Sequence, residues 1–471
     1  MKQLRYIIIV LAFVLTSCNK FLDITPDGQV KRDEMLQTTE GIEDALYGVY
    51  AQLRTPSLYG ENLSIYVSEV MAGYLESYGN ETVEALAKYD YTNTRVKSVF
   101  ESVWTKMYNN ISNVNSVLGA DLVKNATEYP FIIYKGEALA LRAFMHFDLL
   151  RLYAEQITQN PKATGIPYAT EFSLKTPDFV HADTFYQHIL ADLVEAETLL
   201  KDEAKYRNTT AFMNDRQTHL NLYAVKALLA RVYLTMGNKE KALAYAEEVI
   251  ENSGCTLCEK TELNGDLAGI FSTKETIFGI YHSDFYKSVS PLLQQSISFY
   301  SLSPRKDINN FYEADIVGLD YRFAAWFTAR SSEMGGYTLS KLTDIYELQN
   351  ISSQRPKDKI LGINIIRLPE MYYIVAECLL DTDYDEAVSV FNEMITHRGL
   401  EPLDRWPAEK SILTIDAINA ERFREFIGEG VTFFNLKRQH LPISAADGTT
   451  IAPSKNIFTV PIPDIEYDYR N

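Results

Sequence analysis

Apolar side chains recur at the helical period through the middle of the chain. From residue 222 to 235 the residues of one stripe are Leu222, Val225, Leu229 and Val232, with alanines between them. Steps of three and four residues place such side chains on one face of an α-helix. Gly237 follows as a C-terminal stop. A second stripe starts directly after it, at Ala242, Leu243, Ala246, Val249 and Ile250. The pattern predicts two closely packed helices joined by the turn 236–239.

This helical hairpin returns along the chain and resembles a tetratricopeptide repeat. The predicted pairs are 222–235 with the helix after Gly237, Met371–Leu380 with Asp385–Thr396, and, more loosely, Gly41–Arg54 with Val103–Leu118 and Lys135–Tyr153 with Thr184–Leu200. An isolated pair cannot bury both of its faces, so the pairs are expected to stack into one core. We therefore predict a mainly α fold, with four tetratricopeptide-like helix pairs forming a superhelical scaffold.

Two regions lose the helical period, roughly 259–360 and 440–471, and these predict large irregular loop insertions. Few strands are indicated, the clearest being Thr276–Tyr281 and Ile457–Ile462. Binding residues often lie on such loops, which a rigid scaffold positions. The predicted organisation is a signal peptide at 1–17, an arm at 18–30, a helical region at 31–258, a loop-rich insertion at 259–360 as candidate ligand face, and a C-terminal region with the last helix pair at 361–471.

The N-terminus has the pattern of a bacterial lipoprotein signal. Two cations precede the apolar run Tyr6–Leu15, and the small residues Thr16 and Ser17 then lead to Cys18. The run is short for a membrane span and typical of a secretory signal. Cleavage before Cys18 would leave its thiol to carry the lipid, and the alternative is a plain signal peptide. After Cys18 the sequence shows no pattern of a membrane span.

The net charge of -18 argues against binding of nucleic acid or of anionic lipid surfaces, because both need a cationic face.

Cys255 and Cys258 form a lone C-x-x-C, for which a local disulfide or two ordinary thiols is favoured over a zinc or redox site. The aspartates of the turn 381–384 lack the glycine that a calcium loop has at its sixth position, where Glu386 stands. They are interpreted as a solvated turn with a capping Asp. No metal and no cofactor are predicted.

No nucleophile elbow, phosphate loop or zinc-protease motif occurs in the sequence, and no catalytic residue is assigned. Glu421, Glu425 and Glu429 recur at helical spacing, which is compatible with a pair of glycosidase carboxylates. Arg422 and Arg424 lie between them, however, so an ion-paired helix surface is favoured. The protein is accordingly predicted not to be an enzyme, with a lipid-anchored glycan hydrolase as an alternative.

A set of fragments follows the order known from one family. They are Phe21-Leu22-Asp23 with Pro26, Gly136–Phe144 continuing to Phe147-Asp148-Leu149, Gly165-Ile166-Pro167, Asp192-Leu193 with Glu195-Ala196, Ala227–Leu234, Arg367-Leu368 with Glu370-Met371-Tyr372 and Ala376-Glu377, Glu421-Arg422, Glu425-Phe426, Glu429-Gly430, and Val460–Pro463 with Glu466 and Asn471. In this order they resemble the SusD/RagB family of Bacteroidetes outer-membrane nutrient-binding lipoproteins. The chain departs from the family at Thr432 and Asn435, where an Arg and an Asp are usual. Loss of both charges suggests that a paired interaction has been replaced by a neutral one.

The resemblance implies a position on the outer-membrane surface, facing the cell exterior on the N-terminal lipid. It implies a SusC-like TonB-dependent transporter as partner, over whose barrel the lipoprotein would sit as a lid. Known members bind glycans, and others bind peptides. The expected function is therefore capture of a nutrient, a glycan or oligosaccharide above all, and its delivery to the transporter. A peptide-binding member and a scaffold that binds only protein are the alternatives.

The ligand residues are predicted from composition, since tyrosine is abundant in the long connections. A sugar site needs an aromatic face for the ring and planar polar groups for paired hydroxyls. The residues with that chemistry are Tyr74, Tyr78, Asn80, Tyr89, Tyr91, Tyr286, Tyr321, Arg322 and Trp326. Trp104 and His146 are assigned to helix packing instead.

Overall fold

Most of the described chain is helical. The computed structural model describes residues 32–77, 79–263, 274–293, 302–313, 318–330, 335–342, 361–468 and 470. Its helices of eight or more residues are α1 (Thr39–Leu53), α2 (Thr94–Gly119), α3 (Phe131–Tyr153), α4 (Ala182–Leu200), α5 (Leu222–Thr235), α6 (Lys239–Asn252), α7 (Phe285–Leu293), α8 (Leu368–Leu379), α9 (Tyr384–Thr396), α10 (Ile415–Glu425) and α11 (Thr432–Gln439). Shorter α-helical segments are Arg32–Met35, Val67–Met71, Glu81–Ala87, Asp121–Lys124, Lys260–Leu263, Ile308–Glu313, Tyr321–Trp326, Lys455–Phe458 and Asp464–Asp468.

The strands are short and pair in twos, all antiparallel. They are β1 (Leu75–Glu76), β2 (Thr164–Pro167), β3 (Phe179–His181), β4 (Thr276–Tyr281), β5 (Ser303–Pro304), β6 (Phe327–Ala329), β7 (Tyr337–Leu339), β8 (Gly362–Arg367), β9 (Ile443–Ser444) and β10 (Thr450–Ile451). The pairs are β1 with β5, β2 with β3, β4 with β8, β6 with β7 and β9 with β10.

All four predicted helix pairs are present: α1 with α2, α3 with α4, α5 with α6, and α8 with α9. Successive pairs also pack on one another, through α2 on α3, α4 on α5 and α6 on α8. The predicted mainly α scaffold of tetratricopeptide-like pairs is therefore confirmed. The predicted capping role of Asp383 is confirmed as well, since its carboxylate accepts the Glu386 amide at the start of α9.

Helix α3 is central because it is buried on nearly every side. Its side chains between Ile133 and Tyr153 are almost all inaccessible, as expected for a helix that is apolar all round and has neighbours on both sides. At Gly136 the backbone approaches α4 so closely that an added Cβ would meet Cγ of Leu200 at 2.9 Å. His146 of this helix and Trp104 of α2 are both buried, in agreement with their predicted packing role.

Buried ion pairs join the helices. Arg142 on α3 donates to both carboxylate oxygens of Asp192 on α4, each at 2.7 Å. On α8, Glu377 lies between Arg422 of α10 and Arg438 of α11. Apart from Arg438, these residues belong to the fragments that carry the family resemblance, so those fragments meet in space although they lie far apart in the chain.

One of the two predicted strands is confirmed and the other is wrong. Thr276–Tyr281 forms β4, which pairs with β8 over a register from Thr276 opposite Arg367 to Tyr281 opposite Gly362. Ile457–Ile462 is not a strand, because Lys455–Phe458 is a short helix and the amide of Val460 instead donates to the carbonyl of Leu152 at 3.1 Å. Pro461 also removes one of the donors that a β-ladder over this range would need. In the described ranges, none of the helices combines the length and apolar character needed to cross a bilayer.

Candidate ligand-binding site

The predicted tyrosines of the early loop anchor that loop to the scaffold. The Tyr74 ring is fully buried and stacks on Phe423 with centroids 3.9 Å apart. Tyr89 donates its hydroxyl to the carbonyl of Met71 at 2.6 Å, and Tyr91 donates to the carbonyl of Ile457 at 2.7 Å. Tyrosines with packed rings and bonded hydroxyls hold the loop in place, and we assign them a structural role.

Asn80 also has a local structural task. Its side chain caps the Glu81–Ala87 helix by accepting the amides of Thr82 and Val83 at 3.1 and 3.3 Å. Such a cap satisfies amides at the start of a helix that would otherwise have no partner. Tyr78, between this cap and β1, lies outside the described residues.

Arg322 and Trp326 occupy the interior rather than a ligand face. Arg322 has no exposed surface and contacts Asp320, Glu421 and Glu425 at 2.7, 2.9 and 3.1 Å. Trp326 is buried, with the Lys341 ammonium 4.0 Å from its ring centroid. Their position corrects the prediction that they contact ligand. An arginine and an aromatic ring can equally well stabilise the packing of an insertion, and composition does not distinguish these two roles.

Tyr286 and Tyr321 are half-buried. The Lys260 ammonium lies 4.5 Å from the Tyr321 ring centroid, on the side of the ring that faces the Lys260–Leu263 helix. Ligand contact at these two tyrosines stays a prediction. Tyr321, Arg322 and Trp326 share one short helix, and none of the predicted residues lines the groove described below.

The three glutamates at helical spacing belong to a buried charge network. Glu425 accepts hydrogen bonds from Arg367 at 2.7 Å and from Arg398 at 2.9 and 3.0 Å. Glu275 joins both arginines from the start of β4. Burial by itself would raise the pKa of Glu425, but Arg398 and Arg367 outweigh it and hold that pKa well below its usual range. The predicted ion pairing is therefore confirmed, whereas the predicted surface position is wrong: the carboxylates are sealed in the core, where they join α10 to β4, β8 and the loops.

A groove opens between α1, the segment 211–219 and the end of β4. We call it the Tyr47–Tyr281 groove, and its lining residues are Tyr47, Tyr50, Ala51, Arg54, Ala211, Asn214, Asp215, Thr218, His219 and Tyr281. Its volume is about 550 Å³, within the range of about 300–1,000 Å³ that is usual for small-ligand sites.

Two exposed tyrosines form the walls of the groove. Tyr47 is 39% exposed and Tyr281 is 51% exposed. The Tyr47 ring is held edge-on by Phe212 and His219, with centroids 5.3 and 5.7 Å away. The backbone of Tyr281 is fixed by the ladder between β4 and β8, where it pairs with Gly362. The Tyr47 ring is thus oriented before any ligand arrives, and the Tyr281 ring projects from a fixed backbone position.

A hydrogen-bonded network supports the floor of the groove. The Tyr50 hydroxyl donates to Oε1 of Glu137 at 2.7 Å, and Nδ1 of His219 lies 2.7 Å from the same oxygen. Arg216 donates to Oε2 of Glu137 at 2.8 Å. Burial would raise the pKa of Glu137, but Arg216 and His219 outweigh it and lower that pKa to about 2. The carboxylate stays ionised, and the floor is rigid.

Polar groups at the rim point to a hydrophilic ligand. Arg54 caps the end of α1, and within the described ranges its guanidinium has neither an ion pair nor a side-chain hydrogen bond. Asn214 and Asp215 are exposed on the facing segment, and Asp215 adopts a left-handed backbone with φ +44°. Non-glycine residues in that conformation are uncommon and concentrate at functional sites.

Sequence reasoning missed this groove, although one signal was available. Tyr47 directly follows Leu46 of the buried α1 stripe, so it lies off the apolar face, where a large aromatic residue needs another reason to be present. Tyr281 gives no such signal, because it ends a continuous apolar strand.

Among the residues that the structure describes, no three His, Cys, Asp or Glu side chains are grouped as metal ligands would be. Cys255 and Cys258 are not joined by a disulfide.

Two family models match the chain. One is a SusD-like model described as starch-binding and associating with the outer membrane, which matches residues 20–234, and the other is the SusD family model, which matches residues 306–457. The chain belongs to the SusD family.

Relatives and solved structures of the SusD family agree with this fold. SusD-like protein P2 of Formosa agariphila is 24% identical over 434 residues, which cover 84% of this chain and 81% of that protein. A SusD superfamily structure from Bacteroides thetaiotaomicron has a TM-score of 0.73 at 23% identity and covers 93% of this chain and 98% of its own. A laminarin-binding SusD-like protein has a TM-score of 0.68 at 19% identity, covering 92% and 98%. At these identities the structural matches establish the fold alone.

Proposed function

We propose that this SusD-family protein binds a glycan in the Tyr47–Tyr281 groove. We further propose that it acts as a cell-surface lipoprotein that delivers the glycan to a SusC-like TonB-dependent transporter. The observation that carries the proposal is the pair of exposed tyrosine rings beside rim side chains that have no partner among the described residues. Membership of a family whose model is described as starch-binding supports the ligand class.

The lining of the groove matches the chemistry of a sugar. One face of a pyranose presents C–H groups that pack on an aromatic ring, and its edge presents hydroxyls. Arg54 offers a fork of donors, Asp215 offers acceptors, and the amide of Asn214 offers both. Because Phe212 and His219 hold the Tyr47 ring in place, little conformational entropy of that side chain is lost on binding.

The groove is suited to binding rather than to cleavage. Hydrolysis of a glycosidic bond usually needs two carboxyl groups that flank the bond. Among its described lining residues, Asp215 is the one carboxylate, and Glu137 beneath the floor is held ionised by Arg216 and His219. The proposed role is therefore capture without turnover.

Delivery needs a position at the membrane surface. The lipobox at Leu15–Cys18 supports a lipid anchor on Cys18, a residue that lies outside the described ones. An outward-facing lipoprotein beside a transporter barrel would raise the local glycan concentration at its entrance.

Affinity electrophoresis of the lipid-free protein, from Asn19 onward, through a polysaccharide panel tests the binding step. At least one glycan is expected to retard the wild type, and Tyr281→Ala and Tyr47→Ala are expected to weaken that retardation. Tyr467→Ala is a matched control, since Tyr467 is 49% exposed and lies outside the groove. Equal retardation of all four proteins would place the glycan elsewhere. Retardation by no glycan, together with binding of peptides, would overturn the glycan proposal.

A further inference from the structure

We infer that the Tyr47–Tyr281 groove selects an acidic glycan, with Arg54 pairing with the carboxylate of a uronic acid residue. This inference rests on the proposed function and names its substrate class. It starts from the charge balance at the rim, where the Arg54 guanidinium has no counter-ion among the described residues.

The unpaired state of Arg54 contrasts with the arginines of the scaffold. Arg142, Arg216 and Arg231 each contact at least one carboxylate at 2.8 Å or less. Arg54 is half-buried at the groove, and across the described chain no carboxylate lies within ion-pair distance of it. The chain has 63 acidic and 45 basic residues, so a carboxylate partner for a structural arginine would be easy to supply from within. The guanidinium instead faces a cavity.

The neighbour of Arg54 adds an unsatisfied polar atom. His282 directly follows the groove residue Tyr281, and its Nδ1 is buried with no hydrogen-bond partner in the described chain. Burial first, and then the charge of Arg54, lowers the pKa of this imidazole. A neutral imidazole does not neutralise Arg54, whereas a ligand anion at Arg54 would add the missing negative charge.

The nearby acidic side chains do not fill this role. Asp284 follows His282 but lies on the exposed surface, with Lys287 at 3.3 Å from its carboxylate. Asp215 lines the groove beyond ion-pair distance of Arg54, and its oxygens suit sugar hydroxyls. The groove thus offers a cationic subsite and a separate acceptor subsite.

A uronic acid fits both kinds of contact at once. Its carboxylate projects from the ring edge and is planar, so it accepts two parallel hydrogen bonds from a guanidinium. Its ring face remains available for Tyr47 or Tyr281. A tetrahedral sulfate ester carries the same charge but does not match the planar fork in the same way.

Binding of polyuronates and of their methyl esters tests the inference, because esterification removes the charge and keeps the ring. Affinity electrophoresis and calorimetry would compare each of polygalacturonate, polymannuronate and polyglucuronate with its own methyl ester. At least one polyuronate is expected to bind the wild type more tightly than its ester. Arg54→Gln should weaken that binding by about 10- to 100-fold, the scale of a charge-assisted hydrogen-bond pair. Arg54→Lys should restore it in part.

Arg405→Gln is the matched control, since Arg405 pairs with Glu401 on the exposed surface. It should bind as the wild type does. Equal binding of acid and ester, or binding of neutral glycans alone, overturns the inference and leaves the proposed function standing. A sulfated glycan without uronic acid residues that binds with the same dependence on Arg54 overturns the assignment to a carboxylate. If no polysaccharide of any charge binds, the proposed function itself fails.

Discussion

Arg231 holds Glu370 through two parallel hydrogen bonds, from Nε to Oε1 at 2.7 Å and from Nη2 to Oε2 at 2.6 Å. The two residues are 139 positions apart and join α5 of the third helix pair to α8 of the fourth. Arg231 Nη2 also donates to the carbonyl of Ile365 at 2.9 Å, which ties β8 to the same point. This buried bidentate ion pair thus fixes the position of the last helix pair on the scaffold.

Removing either partner of this pair is expected to destabilise the protein strongly. Arg231→Met or Glu370→Met leaves a buried charge without compensation, which typically costs about 3–5 kcal/mol. The double variant should cost clearly less than the sum of the two. Urea unfolding of the wild type, both single variants and the double variant measures this coupling. Additive costs would show that the two side chains act independently.

Glu69 makes stability depend on pH through its contact with the loop after α10. Its carboxylate is fully buried and accepts the amides of Gly428 and Gly430 at 2.9 and 3.0 Å. Burial raises its pKa to about 8, although the two amides and Lys341 oppose the shift. Between the ordinary carboxyl pKa and about 8 the folded protein binds more protons than the unfolded chain, so this contribution to stability is present at low pH and lost as pH rises.

The variant Glu69→Gln should remove that dependence, because an amide does not titrate. The free energy of unfolding of the variant relative to the wild type is expected to rise by about 3–5 kcal/mol between pH 4.5 and pH 8. Urea unfolding at several pH values checks the slope. A difference that stays constant over this window would mean that Glu69 keeps its ordinary pKa.

Thr432 and Asn435, the two departures from the family pattern, contact different partners. Thr432 Oγ1 lies 2.9 Å from the Tyr74 hydroxyl, whereas Asn435 bonds to Asn419 at 3.0 Å and accepts from Arg438 at 2.8 Å. Thr432→Val and Asn435→Ala are each expected to cost about 0.5–1.5 kcal/mol, the usual net value of a hydrogen bond. Their costs should add within about 0.5 kcal/mol. A larger coupling would support the hypothesis that one paired interaction was replaced by another.

Lipid attachment at Cys18 predicts where the protein is found in the cell. Cys18→Ala should abolish labelling with radioactive palmitate and move the protein out of the outer-membrane fraction, because the acyl chains supply the membrane affinity. Cys255→Ala should leave labelling and fractionation unchanged. Cell fractionation with both variants makes the measurement, and a Cys18→Ala protein that keeps its label would refute the lipobox interpretation.

The helix pairs could be predicted because their signals are local. The stripes of α5 and α6, the stop at Gly237 and the cap at Asp383 each depend on residues within a turn or two of one another. Helical periodicity and capping act over that distance, so the order of residues alone determined the scaffold. The strand at Thr276–Tyr281 could be predicted for the same reason. The prediction of a strand at Ile457–Ile462 failed because this segment begins within a short helix and contains a proline, which cannot donate to a β-ladder.

Identification of the candidate site required the tertiary structure. Tyr74 and Tyr281 have the same chemistry, but the first is sealed against Phe423 and the second stands open in the groove. Arg322 and Arg54 differ in the same way, since Asp320 and the distant Glu421 and Glu425 surround the first, and no carboxylate reaches the second among the described residues. Exposure and ion pairing depend on contacts between residues hundreds of positions apart. The sequence therefore determined the helices, their pairing and the family, whereas the long-range packing alone decided which aromatic and charged side chains remain free for a ligand.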